Sequence, residues 1–232
     1  MQGLIFKKGL SGNVLKIIAL FSMTVDHVGV LMFPEVDVFR IIGRVAMPIF
    51  AFMIAEGCVY SRHRIKYFAL VFGLGLICVV GYLIAEKELM LNILITFSFS
   101  IATIYAIDYA LLKKRTSAYL LPVLAVLLSA FINFGLPQIT GNILWEVDYG
   151  FFGTMLPVAV YLFKDFRLKL VSVSLMLTVI ALYYGDVQWW AFIAVPILAL
   201  YDGTRGKFNL KYLFYIYYPL HLVVIYGIYY FM

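Results

Sequence analysis

The chain has 232 residues, 65% of them hydrophobic and 13% charged, with a formal net charge of +6. An average soluble domain holds about 45–50% apolar and about 25% charged residues, so a soluble fold is excluded; nor does the positive charge imply nucleic acid, since no basic cluster lies on an exposed recognition element. Cys58 and Cys78 both fall inside hydrophobic runs, which argues against a disulfide framework and a zinc site, and no metal is expected.

The leading segment MQGLIFKKGLSGN lacks a signal-peptide cleavage pattern, so the run after it is expected to persist as the first span. With about 20 apolar residues needed per crossing, nine spans are predicted, at about 15–32, 39–60, 67–85, 89–112, 118–136, 149–163, 170–185, 189–201 and 212–231. The sixth to eighth are short, and the pair 170–185 and 189–201 is open to a re-entrant reading. No linker, repeat or low-complexity tail interrupts the series. Residues 1–232 therefore read as one integral-membrane domain of the all-α, polytopic helical class, embedded in a lipid bilayer.

Lys and Arg favour the cytoplasmic side of short connections. Arg62, Arg64 and Lys66 follow the second span, Lys113, Lys114 and Arg115 the fourth, Lys164, Arg167 and Lys169 the sixth, and Arg205, Lys207 and Lys211 the eighth. Together with Lys7 and Lys8, these place the N-terminus inside and, for nine spans, the C-terminus outside. The opposite loops carry Glu35, Asp37, Glu86, Glu88, Glu146, Asp148 and Asp186. The net positive charge is then a record of orientation.

Ionisable groups within spans are costly, by about 2.5 kcal/mol or more at the bilayer centre, and mark functional sites. Asp26 and His27 lie in the first span, Arg44 and Glu56 in the second, Asp108 late in the fourth and His221 in the last. Lys16, Arg40 and Asp108 stand near span ends, where they can snorkel. Neighbours on a helix point about 100° apart, so Asp26 and His27 face different partners, while Lys16 and His27 share a face about 16 Å apart. Arg44 suits either Asp26 as counter-charge or a bound carboxylate or phosphate, and Glu56 suits Lys16 or the loop 62–66. Two histidines on a common cavity, His27 and His221, would supply a proton acceptor near neutral pH. Such a set fits an enzyme or a proton-coupled transporter; a non-catalytic membrane partner keeping these groups as structural ties is a third reading.

The residues also carry a resemblance. Leu15-Lys16-Ile17-Ile18-Ala19 with Met23 and Asp26-His27, Ile42-Gly43-Arg44-Val45-Ala46 with Pro48 through Phe52 and Glu56-Gly57, Asn92-Ile93-Leu94 with Thr96, Asp148-Tyr149-Gly150 with Gly153, and Tyr215 through Leu222 are similar, in that order, to the TraX family of membrane proteins. The resemblance implies a bacterial inner-membrane acetyltransferase, distantly related to membrane acyltransferases that use acyl-CoA. Its namesake modifies the N-terminal amine of a pilin. The positions carried over are Lys16, Asp26, His27, Gly43, Arg44, Pro48, Glu56, Asn92, Asp148 and His221. Ser61 stands where relatives are expected to hold threonine, which keeps the hydroxyl.

On that basis the expected donor is acetyl-CoA or another acyl-CoA. The acceptor would be an amine or hydroxyl, of a peptide or glycan, in the outer half of the membrane. His27, with Asp26 and His221, would carry the proton chemistry. Arg44, Asn92, Asp148 and Glu56 would handle the acceptor or the thioester oxygen, and Lys16, Arg62, Arg64 and Lys66 the CoA phosphates.

Overall fold

The computed structural model describes residues 9–141, 147–208 and 210–231. Lys7, Lys8 and Glu146, and the side chain of Lys211, which entered the charge-sorting above, lie outside the described set.

Among the described residues the chain is helical, with two isolated backbone bridges, Leu10 to Tyr201 and Leu91 to Val147, in place of any sheet. The helices are α1 Gly12–Met32, α2 Asp37–Gly43, α3 Ala46–Tyr60, α4 Arg64–Glu86, α5 Ile93–Lys113, α6 Leu120–Ala130, α7 Leu136–Thr140, α8 Gly150–Leu162, α9 Phe166–Tyr184, α10 Ala194–Ala199 and α11 Lys211–Phe231. A 3₁₀ turn, Thr116–Tyr119, leads into α6, a π turn, Phe131–Gly135, joins α6 to α7, and a 3₁₀ stretch, Asp186–Ile193, leads into α10.

Seven of these stretches are long and apolar enough to cross a membrane, with α2 and α3 counted as one and Thr116–Thr140 as another. The sixth and eighth sequence-based spans correspond to shorter apolar helical stretches, Gly150–Leu162 and Asp186–Ala199. Part of the latter is 3₁₀, which rises about 2.0 Å per residue against 1.5 Å in an α-helix, so it extends about 25 Å.

The chain packs as two compact units, Met1–Met53 with Phe163–Met232, and Ile54–Leu162. In the first, α1 lies between α2 and α11, while α9, the 3₁₀ stretch and α10 pack together and α2 touches the 3₁₀ stretch. The segment entering α1 is stitched to the loop after α10: Leu10 N–H donates to Leu200 C=O, Gly12 N–H to Thr204 C=O and Asn13 N–H to Arg205 C=O, and the Asn13 side chain donates to Phe208 C=O at 2.6 Å.

In the second unit α5 is central, packed by α4, α6 and α8. Its small polar residues make this approach possible. Thr96 Oγ1 donates to Asp148 C=O and Ser100 Oγ to Thr154 C=O, each at 2.7 Å. The π turn has a local cause: Asn133, buried within it, donates to Ser129 C=O at 2.7 Å and accepts from Val147 N–H at 3.1 Å, so its side chain takes up backbone groups of both segments.

Candidate functional site

The break between α2 and α3 builds the charged half of the site. Gly43 ends α2, Arg44 and Val45 form a turn, and Pro48 falls in the first turn of α3, where a missing N–H leaves no helical bond unmade. Gly43 also lets α2 come against α1, since a Cβ there would collide with the Asp26 side chain. At that approach Asp26 accepts from two guanidinium groups, Arg44 at 2.8 Å through Oδ1 and Arg40 at 2.9 Å through Oδ2. Arg44 is buried and Arg40 about one-third exposed, at 34% of its side-chain surface. Arg40, which could have snorkelled, is thus a full member of the cluster.

One position further, the helical turn aims His27 at α11 instead. The two imidazoles meet edge to face, centroids 5.0 Å apart, with His221 Nε2 3.3 Å from His27 Nδ1. Each Nδ1 also faces the carbonyl one turn back, His27 toward Met23 at 2.9 Å and His221 toward Tyr217 at 3.1 Å. A carbonyl only accepts, so in the neutral rings both Nδ1 atoms carry the proton. It follows that His221 Nε2 is an acceptor for His27 Nδ1–H, and that His27 Nε2 keeps its lone pair. That is the arrangement of a base whose protonated form is stabilised by a neighbour.

Aromatic residues hold His221, itself buried, in place. Tyr217 stacks on the imidazole at 5.5 Å and 9°, and Tyr218 meets it edge-on at the same separation. Below, Lys16 Nζ lies 5.3 Å from the centre of the Phe214 ring. Lys16, Thr24 and His27 on α1 therefore match Phe214, Tyr217 and His221 on α11 in ascending order, so the first and last helices run parallel.

The remaining sequence-based positions belong to the second unit. Arg62 and Lys66 are exposed at the start of α4. Arg64 is paired with Asp108 at 2.7 Å, and Tyr161 donates to the same carboxylate at 2.7 Å; Asp108 is thus partnered rather than snorkelling. Glu56 is buried in α3. Asn92 is the N-cap of α5, accepting from Leu94 N–H at 3.0 Å while its amide donates to Gly75 C=O at 2.9 Å, so both ends are engaged within the fold. Asp148 is exposed in a turn whose next residue, Tyr149, has positive φ. Thr24, Arg40, Tyr217, Asn133 and Tyr161 escaped selection on sequence; only Arg40 carried a signal, its i, i+4 spacing from Arg44.

Among the described residues no group of three His, Cys, Asp or Glu side chains could hold a metal ion.

Comparison with known proteins supplies the family. The TraX protein family matches residues 11–229. A Dichelobacter nodosus protein described as "Probable fimbrial assembly protein FimC, serogroup H1" is 23% identical over 234 residues, covering 91% of this chain and 92% of that one. An uncharacterised Rickettsia prowazekii protein, RP591, is 50% identical over 40 residues, 17% of this chain and only 16% of the length of that relative. No solved structure matches. The match runs through both compact units and includes both histidines, and the chain is a multi-pass membrane protein belonging to the TraX family.

Proposed function

We propose that the protein is an acyltransferase of the bacterial cytoplasmic membrane, moving an acetyl group from acetyl-CoA to an amine or hydroxyl presented in the outer half of the bilayer. The observation that carries this reading is the His27–His221 contact, which leaves one imidazole nitrogen as a free base and gives its conjugate acid a partner. Family membership and the similarity to a fimbrial assembly protein favour an extracytoplasmic acceptor such as a pilus subunit.

In the reaction, His27 Nε2 takes the proton of the acceptor N–H or O–H as that atom forms its bond to the thioester carbonyl carbon. The C–S bond then breaks, and the thiolate of CoA recovers a proton. Positive charge on His27 is shared through Nδ1–H with His221, which hands none of it on, because its own Nδ1–H already donates to Tyr217 C=O. Asp26 with Arg40 and Arg44 fixes α2 against α1 and supplies a positive field beside the reacting atoms, where developing oxyanion charge would be stabilised. Within the first unit, Lys16 on the histidine face of α1 is the cation for the CoA phosphates.

The reading also includes nine crossings, with the N-terminus inside and the C-terminus outside. It is compatible with the parallel packing of α1 and α11, since first and last spans that point the same way are separated by an even number of chain reversals and so belong to an odd total. It is supported too by the clustering of basic residues in alternate connections.

The test is purified protein incubated with radiolabelled acetyl-CoA and membrane extract. Stable label on a peptide, glycan or lipid product that vanishes in His27→Ala supports the reading. No acetyl-CoA binding, together with pH-gradient-driven solute uptake by proteoliposomes, would refute it.

A further inference from the structure

The surface that α5 and α6 form in the second unit is not smooth. Between α5 and α6 runs an open groove of about 480 Å³ whose lining is almost wholly apolar. It exists because small residues stand where leucines would close it: Ala102 and Ala106 lie one turn apart on α5, opposite Leu121, Ala125 and Leu128 on α6. Its lining runs from Ala102 to Tyr109 on α5 and from Leu121 to Leu128 on α6, about two turns of each helix and about 10 Å in length.

At one end the groove meets a second hollow of about 440 Å³, with Tyr109 and Leu121 lining both. Here the wall turns polar, with Lys113, Arg115 and Ser117. Lys113 Nζ lies 5.7 Å from the centre of the Tyr109 ring, directed along the wall, and the left-handed backbone of Lys114, φ 51°, turns the chain so that Arg115 follows at the same rim. An apolar trough capped by two cations and a hydroxyl has the order of an anionic amphiphile: hydrocarbon chain below, phosphate above.

We propose that this groove is a binding site for an anionic phospholipid, with one acyl chain lying between α5 and α6 and the headgroup phosphate held by Lys113, Arg115 and Ser117. The bilayer decides for a phospholipid over a soluble ligand, because a trough facing hydrocarbon is filled by lipid chains in any case. The cations then select among headgroups. An anionic surface attracts each basic residue near it by about fivefold in affinity, so two give a preference of roughly 25-fold over a zwitterionic lipid. This site is independent of the acyl-transfer reading; the full-length protein would bind the lipid whether or not it is an enzyme.

The test is native mass spectrometry of the full-length protein in detergent, titrated with dioleoyl phosphatidylglycerol or dioleoyl phosphatidylcholine, and with palmitoyl-CoA as competitor. Phosphatidylglycerol should be retained in preference to phosphatidylcholine by about 25-fold, a preference that Lys113→Gln with Arg115→Gln abolishes and Lys113→Arg with Arg115→Lys preserves. Ala125→Phe, which fills the trough, should lower retention of both lipids. The charge variants lie on an exposed rim and keep the test decisive if Ala125→Phe does not fold. Equal retention of the two lipids by the unaltered protein, or undiminished phosphatidylglycerol preference in the charge-neutral variant, would overturn the proposal. Displacement of bound phosphatidylglycerol by palmitoyl-CoA more readily than by phosphatidylglycerol itself would reassign the groove to an acyl-CoA and overturn it equally.

Discussion

The Tyr217 hydroxyl lies 2.7 Å from Thr24 Oγ1, and because that threonine also reaches the Leu20 carbonyl at 2.9 Å, the tyrosine is the donor. The bond crosses from α11 to α1 one turn before the two histidines meet. It fixes the rotation of α11 on which their contact depends. Tyr217→Phe should remove only the hydrogen bond, costing about 0.5–1.5 kcal/mol of stability while keeping the ring stacked on His221. Tyr217→Ala should remove both and lower acyl transfer further, by kcat rather than by KM. Thermal unfolding and steady-state kinetics of the two variants check the difference.

His27→Ala should lower acetyl transfer by about 10²–10⁴-fold, the range for loss of a positioned base. His221→Ala should cost less. The double variant should be no worse than His27→Ala alone, since the two rings act as one unit. With an intact pair, the rate must fall as pH falls, because a protonated Nε2 has no lone pair to offer. That acid limb should be missing from the residual rate of His27→Ala, as a pH–rate profile would reveal.

Asp26→Ala should remove the carboxylate shared by the buried Arg44 and by Arg40 and cost about 3–5 kcal/mol, the range for breaking a buried ion pair. Arg40→Ala, removing the partly exposed arm of the same cluster, should cost about 1 kcal/mol or less. Gly43→Ala should behave more like the former, since its methyl would displace Asp26 itself. Denaturation midpoints of the three in one detergent order them.

Asn92→Ala should destabilise α5 through loss of its N-cap, about 1 kcal/mol, and remove the side-chain donor to Gly75 C=O. The KM for acetyl-CoA should not change. A rise in KM with unchanged stability would instead place the amide on a substrate.

A cysteine introduced at Lys114 should react with an impermeant thiol reagent only from the cytoplasm, and one at Asp186 only from outside. Reversed labelling in spheroplasts and inverted vesicles would move the histidine pair to the opposite half of the membrane.

Much of the helical framework was legible from hydrophobic run lengths alone, because a bilayer imposes a minimum length on each crossing. Those lengths say less about helices that are partly 3₁₀, and so Asp186–Ala199 gave no firm span from its residue count. Charge inside an apolar run singled out Asp26, His27, Arg44 and His221, which the fold gathers at α1, α2 and α11. Arg40 and Asp108 looked like end-of-span residues because sequence gives depth but not lateral neighbours; Arg40 finds Asp26 across a helix pair, and Asp108 finds Arg64 and Tyr161. Asn92 drew a binding role from the family resemblance, which gives a residue type and not its partners; the fold employs its amide on two backbone groups, Leu94 N–H and Gly75 C=O.

The two histidines are 194 residues apart along the chain, on the first and the last of the described helices. During synthesis His27 is therefore made long before its companion, and the contact between the rings cannot form until α11 has been made and has packed against α1. A chain interrupted before α11 keeps the Asp26, Arg40 and Arg44 cluster but lacks the histidine pair, so the two halves of the site are completed at different stages of synthesis.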